Sequence, residues 1–351
     1  MFIEQKISII IPFFNSAQYL HRCLNSLINQ NHKSIEILLI DDGSTDNSYA
    51  ICKKYASLDK RIKIMRQNNK GQSSARNLGI KHSTGKFIFF LDSDDWIYQD
   101  ALSSLMRAFE KSRAELVAGD FTKVKNGRVK EKSDISLPDS KLLDTKDLVE
   151  YTVSYLTKPN KYELFACSWG KLFQSSIIKK HKILFNIKLS TFEDVSFNYN
   201  YLKFCQHVYF FKKTIYDKTM PASYLSASKS IGENPKRLFG FHQALDKIAV
   251  YLNKKLDENI IKQKIGHAYV FLTIFQLVRI CGQITTRNKN KIYRLIQEVV
   301  NAKNLRKNLQ YYQPPKEYSK IIPFLLKLKF TWFIVKICRY KALKRYGYRT
   351  N

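Results

Sequence analysis

The sequence predicts an α/β fold, with a mainly parallel sheet covered by helices on both faces, followed by a helical C-terminal region. Two observations lead to this prediction. Up to about residue 120, short continuous apolar runs alternate with segments in which apolar residues recur at helical spacing. This alternation is typical of parallel strands that are buried on both faces. From Arg237 onward only the helical spacing continues, which indicates a separate helical region.

The individual elements follow from the positions of these runs. Strands are predicted at residues 7–11, 36–40, 62–65, 87–91 and 116–118. Helices are predicted around residues 20–28, 45–56, 73–82, 102–109 and 195–202. We expect Pro12 to end the first strand and Ser44 or Thr45 to cap the second helix. The polar segment from Lys123 to Asp147 indicates a loop or an insertion.

Charge and composition restrict the class of protein. The 351 residues carry 60 Lys and Arg against 29 Asp and Glu, a formal net charge of +31. From Lys229 onward there are 26 basic and 6 acidic residues, so the C-terminal third is the more basic part. This excess favours an anionic partner such as acidic lipid or a phosphorylated substrate. No nucleic-acid-binding motif accompanies it, and we expect no nucleic acid partner.

Other features concern the cellular compartment. The six cysteines are dispersed without a Cys-x-x-Cys pair, which favours a reducing compartment and argues against zinc. The N-terminus leads directly into a strand, and we expect no signal peptide. No run of 18 uncharged apolar residues occurs, so no conventional membrane span is expected. The sequence leaves the oligomeric state open.

Carboxylates follow two of the predicted strands. Asp41 and Asp42 end the second strand, and Asp92, Ser93 and Asp94 end the fourth. Parallel strands bring both groups to the same edge of the sheet, where open α/β folds bind their ligands. Asp92 and Asp94 have the oxygen ligands that Mg²⁺ or Mn²⁺ would share with a diphosphate. The alternative for an isolated Asp-rich segment is a simple turn.

Two further segments reach the same edge. The loop from Pro12 to Asn15 follows the first strand and offers aromatic rings against a flat base. Gly71 to Asn77 opens a helix, whose N-terminus favours anions, and Arg76 adds a permanent charge. Neither G-x-G-x-x-G nor a P-loop is present. A metal ion must therefore take the place of a phosphate-binding turn.

These segments together resemble the inverting family 2 glycosyltransferases of the GT-A fold. The resemblance implies a UDP-sugar donor, with residues 1–125 as the nucleotide-sugar half and 126–228 as the acceptor half. It implies Asp94 as the main ligand of Mg²⁺ or Mn²⁺. It assigns the donor site to Pro12, Phe14, Asn15, Asp41, Asp42, Arg76, Asp92 and Ser93. For Asp41 a role in the turn before the second helix is the alternative.

Residues 191–197 resemble the family's glutamate-aspartate motif. By this resemblance Asp194 is the catalytic base, with Glu193 beside it. An acidic pair at the start of a helix is the alternative reading of both residues. Trp169 and Lys171 resemble a further family segment, which implies contacts with a sugar and a phosphate. Core packing is the alternative for Trp169. Many relatives place an arginine where Ile215 to Thr219 has none, and Lys218 is the available substitute.

The third predicted part is the basic helical region of residues 236–351, reached through a Ser-, Gly- and Pro-rich linker at 226–235. Its tail, residues 318–351, mixes aromatic and basic residues, which favours contact with an anionic membrane surface. A terminal helix packed on its own domain is the alternative. We therefore expect a cytoplasmic enzyme on the inner face of the cell membrane. It would build surface or capsular polysaccharide on a lipid-linked glycan acceptor.

Two other functions share some of these features. A nucleotidyltransferase that makes nucleotide sugars also carries carboxylates at strand ends. It would need a glycine-rich loop after the first strand, where this chain has Pro12 to Asn15. A non-catalytic sugar- or lipid-binding module is the second alternative. The joint presence of Asp92, Asp94 and Asp194 argues against it.

Overall fold

The computed structural model describes residues 4–125, 128–133, 135–159, 161–189, 191–220, 239–314 and 320–346. The chain divides into two compact units. Unit 1 comprises residues 1–150 and 161–222, and unit 2 comprises 151–160 and 223–351. The predicted linker at 226–235 lies outside the described residues, as do Pro315, Glu317 and the ends of the predicted tail.

Unit 1 is built on one ten-stranded mixed sheet. Its strands are β1 Ile7–Phe13, β2 Ile35–Asp41, β3 Ile62–Arg66, β4 Phe87–Phe90, β5 Trp96–Ile97, β6 Leu116–Lys125, β7 Arg128–Lys132, β8 Lys141–Leu143, β9 Lys171–Gln174 and β10 Val208–Thr219. The spatial order is β3-β2-β1-β4-β9-β6-β10-β5, with β7 beside β6 and β8 beside β10. Strands β3, β2, β1 and β4 are mutually parallel, and antiparallel β9 joins β4 to β6.

Seven helices accompany these strands in the described residues, and five of them overlap the helices predicted from the sequence. The seven helices are α1 Ala17–Ile28, α2 Ser48–Leu58, α3 Gln72–His82, α4 Ala101–Ser112, α5 Thr145–Thr157, α6 Ser175–Lys180 and α7 Glu193–Leu202. Every residue of β1, β2 and β4 is buried, as expected for strands covered on both faces. The α/β class is confirmed.

Three predictions about element boundaries were wrong. Strand β1 continues through Pro12, which pairs with Ile40 of β2. The missing N–H of Pro12 falls on the side of β4, whose pairing with β1 ends at Ile10, so no hydrogen bond is lost. Helix α2 begins at Ser48 rather than at residue 44 or 45. The segment 123–147 contains β7 and β8, whose mostly exposed polar residues gave no apolar signal.

An aromatic cluster lies behind the carboxyl end of β4. The ring of Phe90 makes edge contacts with Phe173, Phe185 and Phe197 at centroid distances of 5.7, 5.2 and 5.5 Å. Phe185 and Phe197 stack at 4.1 Å. Aromatic pairs of this geometry contribute roughly 0.5–1.5 kcal/mol beyond the area they bury. The cluster therefore fixes the start of α7 against the end of β4.

Unit 2 is helical, as the sequence predicts. Its helices are α8 Phe241–Leu252, α9 Glu258–Cys281, α10 Lys289–Asn301, α11 Lys303–Asn308, α12 Ile321–Leu328 and α13 Thr331–Tyr346. By length and composition α9 could cross a membrane, with a mean hydropathy of 1.2 over 18 residues. However, 72% of that window is buried inside the structure, which is the environment of a core helix.

The predicted tail is two helices rather than one. Helix α12 ends at Leu328, and the next residue, Lys329, adopts a left-handed conformation with φ of 60°. Ile334, Val335, Cys338 and Ala342 of α13 are buried, and α13 packs against α9 and α10. One face of α13 is therefore packed on its own unit, as the alternative to membrane contact predicts. A single helical period across residues 324–345 could not show this face, because the chain breaks at Lys329.

Candidate active site

A cavity of about 310 Å³ lies where β1, β2 and β4 end. Three loops and the first turn of α3 form its walls. Its lining residues are Pro12, Phe13, Phe14, Asn15, Ser16, Tyr19, Asp42, Gln72, Ser93 and Asp94. Six of the residues predicted for donor and metal binding are therefore gathered in one place, as expected for the carboxyl edge of a parallel sheet.

Asn15 organises the loop after β1. It adopts a left-handed conformation with φ of 49°, which asparagine tolerates better than most residues. Its side-chain oxygen accepts hydrogen bonds from the backbone N–H groups of Thr45 at 2.8 Å and Asp46 at 3.3 Å. These bonds hold residues 44–46 in a loop and delay the start of α2. The neighbouring ring of Phe14 is 44% exposed, so it presents a free aromatic surface at the cavity.

The two carboxylates after β2 have different environments. Asp42 lines the cavity, and its oxygens accept from the backbone N–H groups of Lys70 and Gly71, each at 2.8 Å. Asp41 is fully buried. It accepts from the backbone N–H of Ser44 at 2.8 Å and pairs with Arg66 at 3.1 Å. Asp41 is therefore a turn residue away from the cavity, and its predicted contact with a donor has no support in this geometry.

Asp94 is the carboxylate that faces the cavity with the fewest partners. Burial raises its pKa to about 6, and the charge of Asp92 adds to the increase. In the described part of the chain, its own backbone N–H is the one donor that contributes to the pKa of its side chain, while the charges of Lys218 and Arg22 act without a hydrogen bond. Among the described residues no group of three or more His, Cys, Asp or Glu side chains is arranged to hold a metal ion. Asp94 is therefore the carboxylate of this cavity that is available to a divalent cation, as the sequence predicts.

Arg76 on α3 joins the strand-end carboxylates to those at the start of α7. It is 1% exposed and donates to Asp92 at 2.7 Å and to Asp194 at 3.0 Å. Its distance to Glu193 is 3.8 Å. Burial alone would lower the pKa of the guanidinium, but the charges of Asp194, Asp92 and Glu193 raise it. Arg76 thus remains a fixed positive charge among three carboxylates.

Gln72 connects this cluster to the cavity. Its side-chain amide donates to Asp92 at 3.0 Å, and Gln72 itself lines the cavity. Asp92, shared between Arg76 and Gln72, therefore lies between the cavity and Asp194. Asp92 keeps 22% of its side chain exposed and Asp194 keeps 17%, so both can meet a substrate.

Asp194 lies in the first turn of α7 and has one oxygen engaged by the protein. Its Oδ1 accepts from Arg76 and also from Ser168 Oγ at 2.8 Å. No described donor contacts Oδ2. Glu193 beside it is mostly buried, and burial together with the charge of Asp194 raises its pKa to about 7. The two acidic residues do begin a helix, as the alternative reading held, but both are also tied to Arg76 and not only to the helix N-terminus.

Trp169 and Lys171 are placed in the protein interior. The indole of Trp169 is 4% exposed and stacks on Tyr216 at 4.5 Å, which is the packing alternative. The ammonium group of Lys171 donates to the backbone oxygens of Cys167 at 2.8 Å and Trp169 at 3.2 Å. Neither side chain is free to contact a sugar or a phosphate in this arrangement. Lys218, 5.2 Å from the Trp169 ring, is less enclosed.

Several residues that line the cavity or contact its carboxylates were not identified from the sequence. Ser168 contacts Asp194 across 26 residues, and Tyr216 donates to Asp95 at 2.6 Å across 121 residues. Ser16 and Tyr19 line the cavity although no motif marks them. Gln72 belongs to the motif that opens α3. Its position in the first turn of that helix could have identified it from the sequence.

Comparison with known proteins agrees with this geometry. The model of the family described as "Glycosyl transferase family 2" matches residues 8–181. A Staphylococcus aureus poly(ribitol-phosphate) beta-N-acetylglucosaminyltransferase, TarP, is 30% identical over 72% of this chain and 75% of its own length. The chain belongs to glycosyl transferase family 2. It is therefore a glycosyltransferase, in a family whose members typically invert the anomeric configuration of the sugar.

Two further matches define the extent of the similarity. The glycosyltransferase GlyA of Streptococcus pneumoniae is 34% identical over 62% of this chain, and the match spans 31% of GlyA. The crystal structure of S. aureus TarS 1-349 in complex with UDP-GlcNAc has a TM-score of 0.67. That match has 19% identity and covers 98% of this glycosyltransferase and 93% of the TarS chain. The shared fold is GT-A, which confirms the predicted fold class.

Proposed function

We propose that this enzyme transfers a sugar from a UDP-sugar to a hydroxyl of a glycan acceptor, with a divalent metal ion and with inversion. The observation that carries the proposal is the arrangement of Asp94, Asp92, Arg76 and Asp194 from the cavity outward. A metal ligand, a fixed positive charge and a base would then lie within one continuous site.

The cavity at the strand ends would hold the nucleotide. Phe14 offers an exposed aromatic face for a flat uracil ring, and aromatic stacking is a common way to hold a base. Pro12, Asn15 and Ser93 would form the remaining wall. Asp42 would act mainly by holding residues 70 and 71, which lead into α3. The TarS complex with UDP-GlcNAc supports a uridine nucleotide for a chain of this fold.

Asp94 would hold Mg²⁺ or Mn²⁺ against the diphosphate. Enzymes of the GT-A fold commonly use such an ion, and the partner-poor Asp94 carboxylate suits it. The ion would act as a Lewis acid that stabilises the charge of the departing UDP. Arg76 and the first turn of α3 would add positive potential on the same side.

Asp194 would be the base. Its Oδ1 is held by Arg76 and Ser168, which fixes the orientation of the carboxylate. Its Oδ2 is left to accept the proton of the acceptor hydroxyl as that oxygen attacks the anomeric carbon. A base of this kind contributes roughly 10²–10⁴-fold to the rate. Attack from the face opposite UDP would invert the configuration in one displacement.

The acceptor is proposed to be a lipid-linked glycan at the inner face of the cell membrane, in the synthesis of surface or capsular polysaccharide. Unit 2 supports this through a basic aromatic surface, defined by the exposed residues Lys320, Ile321, Phe324, Lys327, Leu328, Lys329, Phe330, Trp332, Phe333 and Lys336. Apolar rings flanked by lysines suit an anionic bilayer, where each lysine contributes roughly 1 kcal/mol.

The membrane proposal can be tested with vesicles. We expect Trp332→Ala/Phe333→Ala to sediment less with anionic vesicles, because two exposed rings are lost while the buried face of α13 is kept. Leu58→Ala, another exposed apolar residue, is the matched control and should bind as the wild type does. Equal sedimentation of the double variant and the wild type at both low and high salt would disprove the surface.

The enzymatic proposal is tested by measuring UDP release from a panel of UDP-sugars, with Mg²⁺, with Mn²⁺ and with chelator. We expect release from at least one UDP-sugar, stimulated by acceptor lipid and abolished by chelator. Formation of pyrophosphate from UTP and a sugar phosphate would instead identify a nucleotidyltransferase. UDP-sugar binding without turnover across the panel would indicate a non-catalytic module.

A further inference from the structure

Unit 2 contains a second cavity that the glycosyl transfer does not use. Its volume is about 230 Å³, and it opens between α9, α12 and α13. The lining residues are Phe271, Ile274, Phe275, Val278, Tyr312, Ile322, Lys341 and Lys344. Six of these are apolar or aromatic, and two are cationic. This combination of an apolar interior and a positive rim is what an anionic amphiphile requires.

One face of α9 supplies the apolar wall. Phe271, Ile274, Phe275 and Val278 follow the i, i+3, i+4, i+7 spacing that places side chains on one side of a helix. Ile274 and Phe275 are only partly buried, whereas Leu272 and Leu277 on the other side are buried. The partly exposed residues therefore present apolar surface to the cavity, which an apolar ligand would remove from water.

Two lysines of α13 supply the charge. Lys341 and Lys344 are three residues apart and lie on the same side of the helix. Neither forms an ion pair with any described residue. The described residues after Glu298 include no Asp or Glu at all, so no nearby carboxylate from this part of the chain competes for them. An anionic group bound there would gain charge-assisted hydrogen bonds from both ammonium groups.

We propose that this cavity binds the chain of a single-chain lipid phosphate, with the phosphate at Lys341 and Lys344. An apolar cavity of about 150 Å³ accommodates benzene, so 230 Å³ holds roughly nine carbons of one chain and not two chains side by side. The cavity shares α12 with the basic aromatic surface, because Ile322 lines the cavity and Ile321 is exposed. A lipid drawn from the bilayer would therefore have a short path to the cavity.

This inference deepens the proposed function, since a lipid-linked acceptor carries both a chain and a phosphate. It rests on that function only for the source of the lipid. Binding to the cavity needs neither UDP nor a metal ion, so it can be measured apart from transfer. A failure of lipid binding would leave the UDP-release assay unaffected, and the reverse also holds.

The experiment is calorimetric titration of the full-length chain with dodecyl phosphate below its micelle concentration. Dodecanol and inorganic phosphate serve as probes of each half of the ligand. We expect saturable one-to-one binding of dodecyl phosphate, at least about tenfold weaker binding of dodecanol, and no detectable binding of phosphate alone. A prenyl phosphate should bind as dodecyl phosphate does. Tighter binding of a short two-chain phosphatidylglycerol would overturn the single-chain assignment.

Two variants test the apolar interior of the cavity and its pair of lysines separately. Ile274→Trp fills the interior and should abolish binding of both dodecyl phosphate and dodecanol. Lys341→Gln/Lys344→Gln removes two charges from side chains that are exposed or half-buried. It should reduce the preference for dodecyl phosphate over dodecanol to less than about threefold. Lys289→Gln/Lys303→Gln, which removes two exposed lysines of α10 and α11, is the matched control.

The outcomes are decisive even if Ile274→Trp does not fold, because the lysine variant tests the phosphate site alone. Unfolding of each variant is followed by circular dichroism before titration. Loss of the phosphate preference in Lys341→Gln/Lys344→Gln, with the preference kept in the α10 and α11 control, supports the proposal. An unchanged preference in Lys341→Gln/Lys344→Gln, or equal loss in both lysine variants, overturns it.

Discussion

Buried carboxylates at the two ends of the sheet in unit 1 have opposite environments. At the amino ends of β1, β2 and β4, the carboxylate of Glu36 is surrounded by donors. It accepts from Ser8 Oγ at 2.6 Å and from the backbone N–H and the hydroxyl of Thr84 at 2.6 and 2.9 Å. Burial opposes its charge, but these hydrogen bonds and Lys6 lower its pKa to about 2.

At the carboxyl ends of the same strands, carboxylates are crowded together. Burial and neighbouring charges raise the pKa of Asp94 to about 6 and that of Glu193 to about 7. The pKa of Asp95 is also raised well above its ordinary value, by burial and by the charges of Asp94 and Asp92. Arg76 offsets only part of this repulsion.

Hydrogen-bond partners therefore distinguish a carboxylate that stabilises the fold from one that is available to a ligand. Glu36 lowers the free energy of the folded state because its partners come with the fold. The carboxylates at the other end raise that free energy, and we propose that a cation and a substrate hydroxyl offset this cost. Strongly perturbed groups of the second kind are typical of functional sites.

The largest effect expected from this comparison is on turnover. Asp194→Asn should lower the rate of transfer by about 10²–10⁴-fold, because the amide keeps the shape but cannot accept a proton. UDP affinity should change by less than about threefold. The measurement is transfer rate beside calorimetric titration with UDP. If UDP affinity fell with the rate, Asp194 would instead belong to the donor site.

The second effect is on stability at the opposite end of the sheet. Glu36→Ala should lower the free energy of unfolding by about 3 kcal/mol, because it removes the acceptor of the Ser8 hydroxyl and of the backbone N–H and hydroxyl of Thr84. Glu131→Ala is the control, because Glu131 is 58% exposed and its ion pair with Lys123 is long at 3.7 Å. Urea unfolding measures both. If both variants lost the same small amount of unfolding free energy, the hydrogen bonds of Glu36 would not stabilise the fold.

The smallest effect is a pH dependence of opposite sign at the two ends. Because the pKa of Glu36 is lowered to about 2, its contribution is present above pH 4.5 and is lost as the pH falls towards 2. Because the pKa of Glu193 is raised to about 7, its ionisation costs stability as the pH rises from 4.5 through 7. The urea midpoint of Glu193→Gln should therefore rise relative to that of the wild type as the pH rises. The midpoint of Glu36→Gln should be lower than that of the wild type above pH 4.5 and should approach it as the pH falls. The same slope for both variants would contradict the comparison.

Much of this arrangement was predictable because it depends on local sequence. The apolar runs located β1 to β4, and the carboxylates and the Pro12–Asn15 loop had to meet at one edge once those strands were parallel. The resemblance added Asp194, which lies 102 residues after Asp92 in the sequence and reaches the same cluster through Arg76. The meeting of the carboxylates and the Pro12–Asn15 loop at one edge thus followed from the predicted parallel strands, whereas the resemblance assigned these residues to the donor and the metal.

The remainder depended on partners distant in sequence. Asp41 and Asp42 are adjacent, yet only Asp42 faces the cavity, because Arg66 of β3 and the N–H of Ser44 hold Asp41 inside. Trp169 is enclosed by Tyr216 of β10, and Lys171 is bound to carbonyl groups of its own loop. Strand β7 is fully exposed with one apolar side chain, and β8 has only three residues, so neither is long or apolar enough to show a hydrophobic period.

We propose that the crowded carboxylates at the carboxyl end of the sheet hold a cation against a nucleotide diphosphate. The most direct measurement is calorimetric titration of UDP into the wild type and into Asp94→Asn, each with Mn²⁺, with Mg²⁺ and with chelator. We predict that a divalent ion strengthens UDP binding by the wild type at least about tenfold and leaves the variant, still folded, unaffected. Metal-dependent UDP binding of the same strength in Asp94→Asn would contradict the account.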